Sequence, residues 1–312
     1  MKIVITGATG FVGQNLLKYL KQRHYLVTPL SLREENWHEI IDQDSDSIIH
    51  LAGKAHDMSN TSNESEYFKI NRDLTISLFD FFLNSSTRDF IYFSSVKAIA
   101  DTVDDVLIEE TEAKPITAYG KSKLAAEEYI MSQTIPLGKR VFIIRPCMIH
   151  GPGNKGNLNL LYKIVKRGIP WPLAAFDNHR SFLSIYNLNY LIDRLLNDEK
   201  VSSNIFNFAD DTPVSTNCLI SLISDGVGRK NKAWYIPVSI IKLIARVGDV
   251  VSLPLNSERL KKLTESYVVS NLKVKRALGI EQLPLSAEQG LEITIRSFNE
   301  ISKYKEDLNL YE

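Results

Sequence analysis

The sequence predicts an α/β fold, with a doubly wound parallel sheet and a smaller C-terminal lobe. Two observations predict it: short apolar, strand-like segments alternate with helical patterns through the first half, and the chain opens with a strand, a glycine turn and a helix. Alternation of this kind is typical of parallel sheets covered by helices on both faces.

The opening stretch, MKIVITGATGFVG, organises this prediction. Residues 2–6 have the length and the β-branched content of a buried strand, and residues 11–20 have a helical pattern. Three glycines lie between or within them: Gly7, Gly10 and Gly13. Glycines here let the backbone approach a pyrophosphate, whose charge is stabilised by the N–H groups at the helix start. The stretch therefore predicts a dinucleotide-binding loop.

The remaining elements of the first half continue the alternation of strands and helices. Further strands are predicted at residues 25–30, 46–51, 89–93 and 140–144, with helices at 66–83 and 117–132. This order predicts a Rossmann-type sheet, in which ligands bind at the carboxyl ends of the strands. Four candidate positions follow strands at that edge: Gly7, Gly53, Ser95 and Pro146.

From residue 151 onwards the regular alternation of strands and helices ends. A turn-rich segment, GPGNKGN, leads into helices at 158–167, 188–197, 215–224, 238–247, 257–263 and 287–301, with a strand at 205–208. We expect a dinucleotide-binding core in residues 1–150. Residues 151–312 are expected to form mainly a substrate-binding lobe, with some segments returning to the core.

Composition limits the classes of function. The chain has 312 residues, 44% of them hydrophobic, and a formal net charge of zero, so it can bury a large core and carries no basic tract for nucleic acid. The two cysteines, Cys147 and Cys218, have no metal-binding or disulfide spacing, which predicts no metal site and fits a reducing cytoplasm.

No targeting or membrane-spanning segment is predicted. The N-terminus is itself the first strand, which leaves no room for a signal peptide. The most membrane-like stretch, residues 236–255, contains Lys242, Arg246, Asp249 and two prolines, so it predicts a buried or surface helix. We expect a cytoplasmic protein with no transmembrane segment.

Tyr119 and Lys123 are the first candidates for chemistry. They are four residues apart in a helical pattern, so both face one side of the helix. A lysine ammonium beside a phenol favours the phenolate, and such a tyrosine can exchange a proton with a sugar hydroxyl or ketone. Ser95, just past a strand, could bond the same oxygen. The alternative for the pair alone is a solvated helix face.

At these residues the chain resembles a known family. Thr6-Gly-Ala-Thr-Gly-Phe-Val-Gly13, Ser94-Ser95, Tyr119-x-x-x-Lys123 and Arg145-Pro146 with Gly151-Pro-Gly153 are similar to the extended short-chain dehydrogenase/reductases. These are nucleotide-sugar epimerases, dehydratases and reductases of the NAD-dependent epimerase/dehydratase family. Asn71 and Thr75 also match, and weaker similarity continues through residues 179–181 and 187–188.

The resemblance implies roles for individual residues. Tyr119 would be the catalytic acid/base, Lys123 would bind the nicotinamide ribose and lower the tyrosine pKa, and Ser95 would polarise the C4 oxygen of the sugar. The implied cofactor-binding positions are Gly7, Thr9, Gly10, Phe11, Val12, Gly13, Ser31, Arg33, Leu51, Ala52, Gly53, Tyr119, Lys123 and Pro146. The resemblance also implies substrate-binding roles for Ser95 and for Arg180, which is at a position that holds the nucleotide diphosphate in relatives. Two further substrate-binding candidates follow from their place in the chain: His56, in the loop expected to border the nicotinamide and the sugar, and Asn157, in the turn after the sheet.

Several of these positions have simpler alternatives. Arg180 could form only a surface salt bridge, and His56 could lie in a solvated loop. Many relatives carry tyrosines where this chain has Ile99 and His150, which could alter the fit of the sugar. His150 could equally be a packed histidine. A dehydratase is disfavoured because Val96-Lys97 replaces the Asp-Glu pair of such relatives.

The end of the second strand bears on the cofactor. Relatives that prefer NAD usually place an acid there for the ribose 2′-OH, whereas this chain has Ser31 and Arg33, which could hold a 2′-phosphate. The segment favours NADP, or a site that accepts both NAD and NADP. Arg33 could instead stack on adenine while NAD is bound.

The resemblance is greatest to a bacterial branch that acts on UDP-linked sugars in surface-polysaccharide synthesis. We expect hydride transfer at C4 of a UDP-hexose or UDP-N-acetylhexosamine derivative, with a slight preference for a 4-ketoreductase of a UDP-4-keto-6-deoxy sugar over a UDP-glucose or UDP-N-acetylglucosamine 4-epimerase. A remoter alternative is a non-catalytic sensor of dinucleotides. Relatives often pair through a four-helix bundle, so a homodimer through residues 66–83 and 117–132 is also expected.

Overall fold

A computed structural model describes residues 1–54, 63–154, 156–251 and 255–308, and the side chains of all of these except Asn157 and residues 301–308. Its centre is a six-stranded parallel sheet in the order β2-β1-β3-β4-β6-β10. These strands are β1 (Lys2–Thr6), β2 (Leu26–Leu30), β3 (Ser47–His50), β4 (Asp89–Phe93), β6 (Arg140–Pro146) and β10 (Asn204–Phe208). The predicted Rossmann-type sheet is confirmed.

Helices cover both faces of this sheet. In the first half they are α1 (Phe11–Gln22), α2 (Trp37–Ile40), α3 (Glu64–Tyr67), α4 (Leu74–Asn84) and α5 (Ala118–Ser132). Strand β2 is at the edge of the sheet, which tolerates Pro29 because proline has no N–H to donate to a neighbouring strand. Its connection to β3 contains only one helix, the four-residue α2.

The long helix predicted at residues 66–83 is present, but the structure differs from the prediction in one respect. It is continuous from Glu64 to Asn84, but a π-helical segment, Phe68–Asp73, separates α3 from α4. A π-helical turn inserts one extra residue per turn, which a period of 3.6 does not reveal, so the apolar pattern predicted the helix but not this interruption.

The second half contributes both to the core and to a separate lobe. Its helices are α6 (Asn157–Lys166), α7 (Ile185–Asn197), α8 (Thr216–Gly226), α9 (Val238–Val251), α10 (Ser257–Thr264), α11 (Leu272–Leu278) and α12 (Ala287–Leu308). Strand β10 pairs with β6, and α7 packs against α1, so these two elements belong to the sheet-centred core. A second hydrophobic cluster contains residues of α6, α8, α9, α10 and α12.

Three pairs of very short strands lie outside the central sheet, and the sequence did not predict them. They are β5 (Val106–Leu107) with β12 (Val268–Val269), β7 (Met148–His150) with β9 (Phe182–Ser184), and β8 (His179–Arg180) with β11 (Val214–Ser215). Two or three residues are too few for a visible alternation of apolar and polar side chains. Helix α11 was also missed.

Candidate active site

The sheet reverses its strand order at β1. The chain passes from β1 to β2 on one side and then returns to β3 on the other. In open α/β sheets the ligand crevice lies at such a reversal, outside the carboxyl ends of the strands. The glycine turn after β1 and the segment Leu51–Gly53 after β3 flank this crevice.

The glycine turn is held close to the segment after β3. Gly7 has a φ of +69°, and a Cβ placed on it would lie 2.6 Å from the amide nitrogen of Ala52. A Cβ on Gly13 would collide with the carbonyl oxygen of Gly7. Only glycine fits at these two positions, because the backbone of the turn, the start of α1 and the neighbouring segment are in direct contact.

The start of α1 is suited to an anion. Among the described residues, no side chain caps the helix at Gly10, and the first turn contains no acidic residue. Thr9 and Gly10 are exposed, and Phe11 and Val12 are half-buried. Backbone N–H groups and the positive end of the helix dipole therefore remain available at the crevice, which fits the pyrophosphate of a dinucleotide.

The other predicted cofactor positions lie along the same edge. Leu51 and Ala52 are half-buried and Gly53 is exposed after β3. Pro146 is buried at the end of β6. Ser31 and Arg33 are exposed immediately after β2. The fold thus places all of these positions at the carboxyl ends of the parallel strands.

A buried histidine that the sequence analysis did not single out links this edge to the π-helical segment. His50 Nδ1 lies 2.7 Å from Thr6 Oγ1, and its Nε2 lies 2.9 Å from Thr75 Oγ1. Complete burial, and then the charge of Lys123, lower the pKa of His50 to about 3. The ring is therefore neutral at physiological pH and has one donor and one acceptor.

The direction of these bonds can be assigned from their neighbours. The Thr75 hydroxyl donates to the carbonyl oxygen of Asn71 at 2.7 Å, so its oxygen accepts from His50 Nε2. His50 Nδ1 then accepts from Thr6, whose oxygen also accepts from the amide of Ala52 at 3.1 Å. One continuous chain of hydrogen bonds therefore runs from the cofactor edge to the π-helical segment.

Asn71 lies in that π-helical segment and ties three elements together. Its Oδ1 accepts from the amide of Lys54 at 2.7 Å, and its Nδ2 donates to Ser122 Oγ at 3.0 Å. The segment after β3 is thereby fixed against α5. π-Helical turns inside longer helices occur frequently at functional sites, and this one aims Asn71 at the crevice.

The structure brings Ser95, Tyr119 and Lys123 together. Ser95 follows β4, and its hydroxyl is hydrogen-bonded to the phenol of Tyr119 in the first turn of α5. Lys123, one turn further on, donates from Nζ to the carbonyl oxygen of Phe93 at 2.8 Å. A Cβ on Gly53 would lie 3.2 Å from this Nζ, so Lys123 borders the segment after β3.

The pKa of the phenol differs from the expected direction. Burial raises the pKa of Tyr119, and the hydrogen bond from Ser95 opposes this by lowering it. The net direction is opposite to the predicted lowering, because desolvation of the phenolate outweighs the hydrogen bond from Ser95. The role of Lys123 in lowering this pKa stays a prediction. Burial lowers the pKa of Lys123 itself to about 8, while the charge of Glu127 raises it.

Arg180 is not an exposed salt-bridging residue. It is half-buried in β8 and donates from Nε to the carbonyl oxygen of Glu265 at 3.0 Å and from Nη2 to the carbonyl oxygen of Lys262. Burial lowers its pKa. The predicted alternative of a surface salt bridge is wrong, because backbone carbonyl groups at the C-terminal end of α10 accept from the half-buried guanidinium.

Lys97 is a second half-buried cation in this region, and sequence reasoning used it only to disfavour a dehydratase. Its Nζ donates to the carbonyl oxygen of Asp101 at 2.7 Å and lies 4.3 Å from the ring centroid of Tyr267. Tyr267 in turn donates to the carbonyl oxygen of Ala100 at 2.7 Å. These contacts fix the loop that follows Ser95.

The remaining predicted positions have mixed outcomes. His56 lies outside the described residues, and Asn157 is the first residue of α6 but its side chain is not among those described. His150 is a packed histidine: it is buried, with Nδ1 2.9 Å from Thr294 Oγ1 and its ring against Phe182. Ile99 is buried in the main core.

Within the described ranges, no group of three or more metal-ligating side chains occurs. Cys147 is buried, and burial raises the pKa of its thiol, so it is an inert packing residue.

Residues 3–209 match the model of the NAD dependent epimerase/dehydratase family, which is more than half of the chain. The chain belongs to this family. The resemblance to extended short-chain dehydrogenase/reductases is thereby confirmed, and the family implies a nicotinamide dinucleotide cofactor.

Individual relatives include both epimerases and reductases. A UDP-glucose 4-epimerase from Vibrio cholerae is 27% identical over 95% of each chain. A UDP-2-acetamido-2,6-beta-L-arabino-hexul-4-ose reductase from Pseudomonas aeruginosa is 33% identical over 51% of this chain and 38% of the relative. Among solved structures, the UDP-glucose 4-epimerase of Thermotoga maritima with UDP-glucose has a TM-score of 0.76 and 20% identity, covering 97% of this chain and 100% of that one.

This member of the NAD dependent epimerase/dehydratase family therefore belongs among the nucleotide-sugar epimerases and reductases. In the part of the chain that the structure describes, no helix has the length and apolarity needed to cross a membrane.

Proposed function

We propose that this family member transfers hydride at C4 of a UDP-hexose or UDP-N-acetylhexosamine derivative, as a 4-ketoreductase in surface-polysaccharide synthesis. The observation that carries the proposal is the contact between the Ser95 hydroxyl and the Tyr119 phenol, with Lys123 one helical turn away beside Gly53. Residues 1–150 would bind the dinucleotide and residues 151–312 mainly the sugar nucleotide.

In the ketoreductase reaction, Ser95 donates a hydrogen bond to the C4 oxygen and Tyr119 donates a proton to it. The nicotinamide cofactor, when bound at the glycine turn, supplies the hydride. The Lys123 ammonium would bind the nicotinamide ribose of the cofactor, and it would stabilise the phenolate that forms once Tyr119 has lost its proton. Asn71 holds the segment after β3, so that Gly53 and Lys123 keep their spacing.

The half-buried Arg180 supports the proposal that the substrate carries a diphosphate. Arg180 is held by two backbone carbonyls, which accept from it without neutralising its charge. In this proposal it binds the diphosphate of the sugar nucleotide. Arg180→Ala should then raise the Michaelis constant for the UDP-sugar far more than it lowers the turnover number.

The preference for a reductase rests on Ser31 and Arg33. Both are exposed at the end of β2, where a 2′-phosphate of NADP would lie, and a reductase must exchange its cofactor at each turnover. The second candidate is a 4-epimerase that keeps NAD bound. It is favoured by the similarity to the Vibrio epimerase, which extends over 95% of both chains.

The deciding experiment is to denature the purified protein and identify any nicotinamide cofactor that is released. We expect that little cofactor is released and that the purified protein binds added NADPH. The NADPH-bound protein should then reduce a UDP-4-keto-6-deoxy-N-acetylhexosamine when this sugar is added. About one tightly held NAD per chain would contradict the reductase and favour the epimerase.

Tyr119→Phe tests the chemistry itself. Loss of the proton donor should lower the turnover number by about 10²- to 10⁴-fold, and it should change NADPH affinity far less. The matched control is Tyr129→Phe on the same helix, whose phenol donates to Asp80 at 2.6 Å away from the crevice. A non-catalytic sensor would bind cofactor equally in wild type and Tyr119→Phe and turn over no sugar in either.

A further inference from the structure

Helix α9 of the C-terminal lobe divides into three sectors. Ile241, Ala245 and Gly248 are buried, and the first two pack in the core of the lobe. With about 100° between successive residues, Ser239, Lys242, Arg246 and Asp249 form a polar sector beside them. The third sector is apolar and yet exposed, and it is the unusual feature of the helix.

The exposed apolar sector covers roughly 120° of the helix. Its six side chains recur at the spacing of one helix face: Ile240, Leu243, Ile244, Val247, Val250 and Val251. Leu243 is 61% exposed and Val250 is 85% exposed. Two further exposed aromatic side chains, Trp234 and Tyr235, lie just before the helix. We call these eight residues the apolar face of α9.

Contiguous apolar surface of this kind marks an interaction site, because isolated exposed apolar residues are normal but a continuous stripe is not. The helix meets the description of an interfacial helix: it is strongly amphipathic, it has tryptophan and tyrosine at one end, and it is too short to cross a bilayer. Tryptophan and tyrosine are enriched at membrane interfaces, where one end of the side chain contacts apolar groups and the other contacts water.

Charge indicates what covers this face. Residues 229–262 contain eight lysines and arginines but only two acidic residues, although the whole chain has a net charge of zero. Both acids have partners within the stretch: Asp249 accepts from the backbone and hydroxyl of Ser257, and Glu258 pairs with Lys262 at 2.6 Å. Arg246 is close to the apolar sector on the helix circumference, and Lys242 lies beyond it in the same exposed polar sector.

We infer that the apolar face of α9, with its basic border, docks the protein on an anionic phospholipid bilayer. The apolar side chains enter the interface between headgroups and acyl chains, and the basic residues contact the anionic headgroups.

The docking face is physically joined to the proposed substrate region. Gly248 of α9 packs directly against the backbone of Leu255 at the approach to α10. Helix α10 ends next to the carbonyl groups of Lys262 and Glu265 that accept from Arg180. Docking therefore places one side of the C-terminal lobe at the membrane without involving the proposed catalytic residues.

The test is flotation of the purified full chain with vesicles of phosphatidylglycerol and phosphatidylethanolamine, compared with vesicles of phosphatidylcholine. We expect wild type to float with the anionic vesicles and to do so less as salt is added. Leu243→Asn/Val250→Asn should bind at least tenfold more weakly, and Lys242→Gln/Arg246→Gln should reduce binding to anionic vesicles and its dependence on salt.

Leu137→Asn is the matched control, because Leu137 is a fully exposed leucine outside this lobe and should leave binding unchanged. Since both residues of the apolar double variant are exposed, its thermal unfolding and NADPH binding should match wild type. The inference is overturned if wild type floats with neither vesicle, or if the apolar double variant binds like wild type. It is also overturned if that variant instead converts a dimer to a monomer in light scattering while wild type ignores vesicles.

Discussion

Two buried cations, one on helix α5 and one on the strand beneath it, are held in opposite ways. Arg145 of β6 is 4% exposed and is paired with Glu127 through bonds of 2.6 to 3.1 Å. Lys123, one turn before Glu127 on the same helix, is 5% exposed and donates to a backbone carbonyl. The first charge is compensated by a carboxylate, whereas the second is held mainly by neutral groups.

The difference separates a structural cation from one prepared for a ligand. Burial lowers the pKa of Lys123 to about 8, which shows that the fold holds this charge at a cost in free energy. Such a cost is typical of functional sites, where stability is given up for reactivity. Arg145 instead fastens α5 to the sheet and thereby fixes the position of Tyr119 and Lys123.

The largest effect is expected from breaking the Arg145 pair. Glu127→Gln leaves a buried guanidinium without its carboxylate, and loss of one partner of a buried pair costs about 3–5 kcal/mol of unfolding free energy. Urea unfolding followed by circular dichroism measures it.

Arg145→Met/Glu127→Met is the matched double variant. Removal of both charges leaves neither uncompensated, so it should recover most of the stability that Glu127→Gln loses. A Glu127→Gln protein as stable as wild type would mean that the pair has no structural role, and the contrast with Lys123 would disappear.

In contrast to Glu127→Gln, Lys123→Met should increase the free energy of unfolding. The shift of the pKa from 10.5 to about 8 corresponds to about 3 kcal/mol at neutral pH, from which the lost bond to Phe93 subtracts about 1 kcal/mol. We therefore expect a gain of about 2 kcal/mol in unfolding free energy, together with weaker NADPH binding.

The pH dependence of stability provides the signature. Between pH 8 and 10.5 the unfolded chain holds the Lys123 proton and the folded protein has lost it, so wild-type stability receives a rising contribution from this group. Lys123→Met lacks that contribution. A variant that is less stable than wild type at pH 7 would show that the ammonium is not strained.

Loss of the Lys123 proton should have a smaller effect, on the pH dependence of NADPH affinity. The Lys123 ammonium is present below its pKa, so NADPH affinity should fall as pH rises through about 8. Because the charge of Glu127 raises this pKa, Glu127→Gln should move the decline to lower pH. Fluorescence titration between pH 6 and 9.5 measures the midpoint, and an identical midpoint in both proteins would contradict the coupling.

Much of the sheet could be predicted from the sequence because its signals are local. The run of apolar residues at Lys2–Thr6 and the glycines after it each restrict the backbone within a few residues. The same holds for Tyr119 and Lys123, whose spacing along one helix determines that they share a face.

The features that were missed depend on contacts between distant segments. Arg180 is covered by carbonyl groups more than eighty residues away, and the bonds of His50 involve Thr6 and Thr75, which are on different elements. The expected direction of the Tyr119 pKa failed for the same reason. The sequence indicated its neighbours on the helix but not the depth of its burial, which is the dominant influence.

Arg33 provides a third kind of cation, exposed at the end of β2 rather than buried. If it binds the 2′-phosphate of NADP, Arg33→Ala should weaken NADPH binding about tenfold, since hydrogen bonds to charged groups contribute about 1.5–3 kcal/mol and solvent weakens this one. NADH lacks the phosphate, so its affinity should stay unchanged. Arg23→Ala, at the opposite end of α1, is the control and should alter neither affinity. Equal weakening for both cofactors would instead indicate that Arg33 stacks on the adenine, and would remove the basis for preferring NADP.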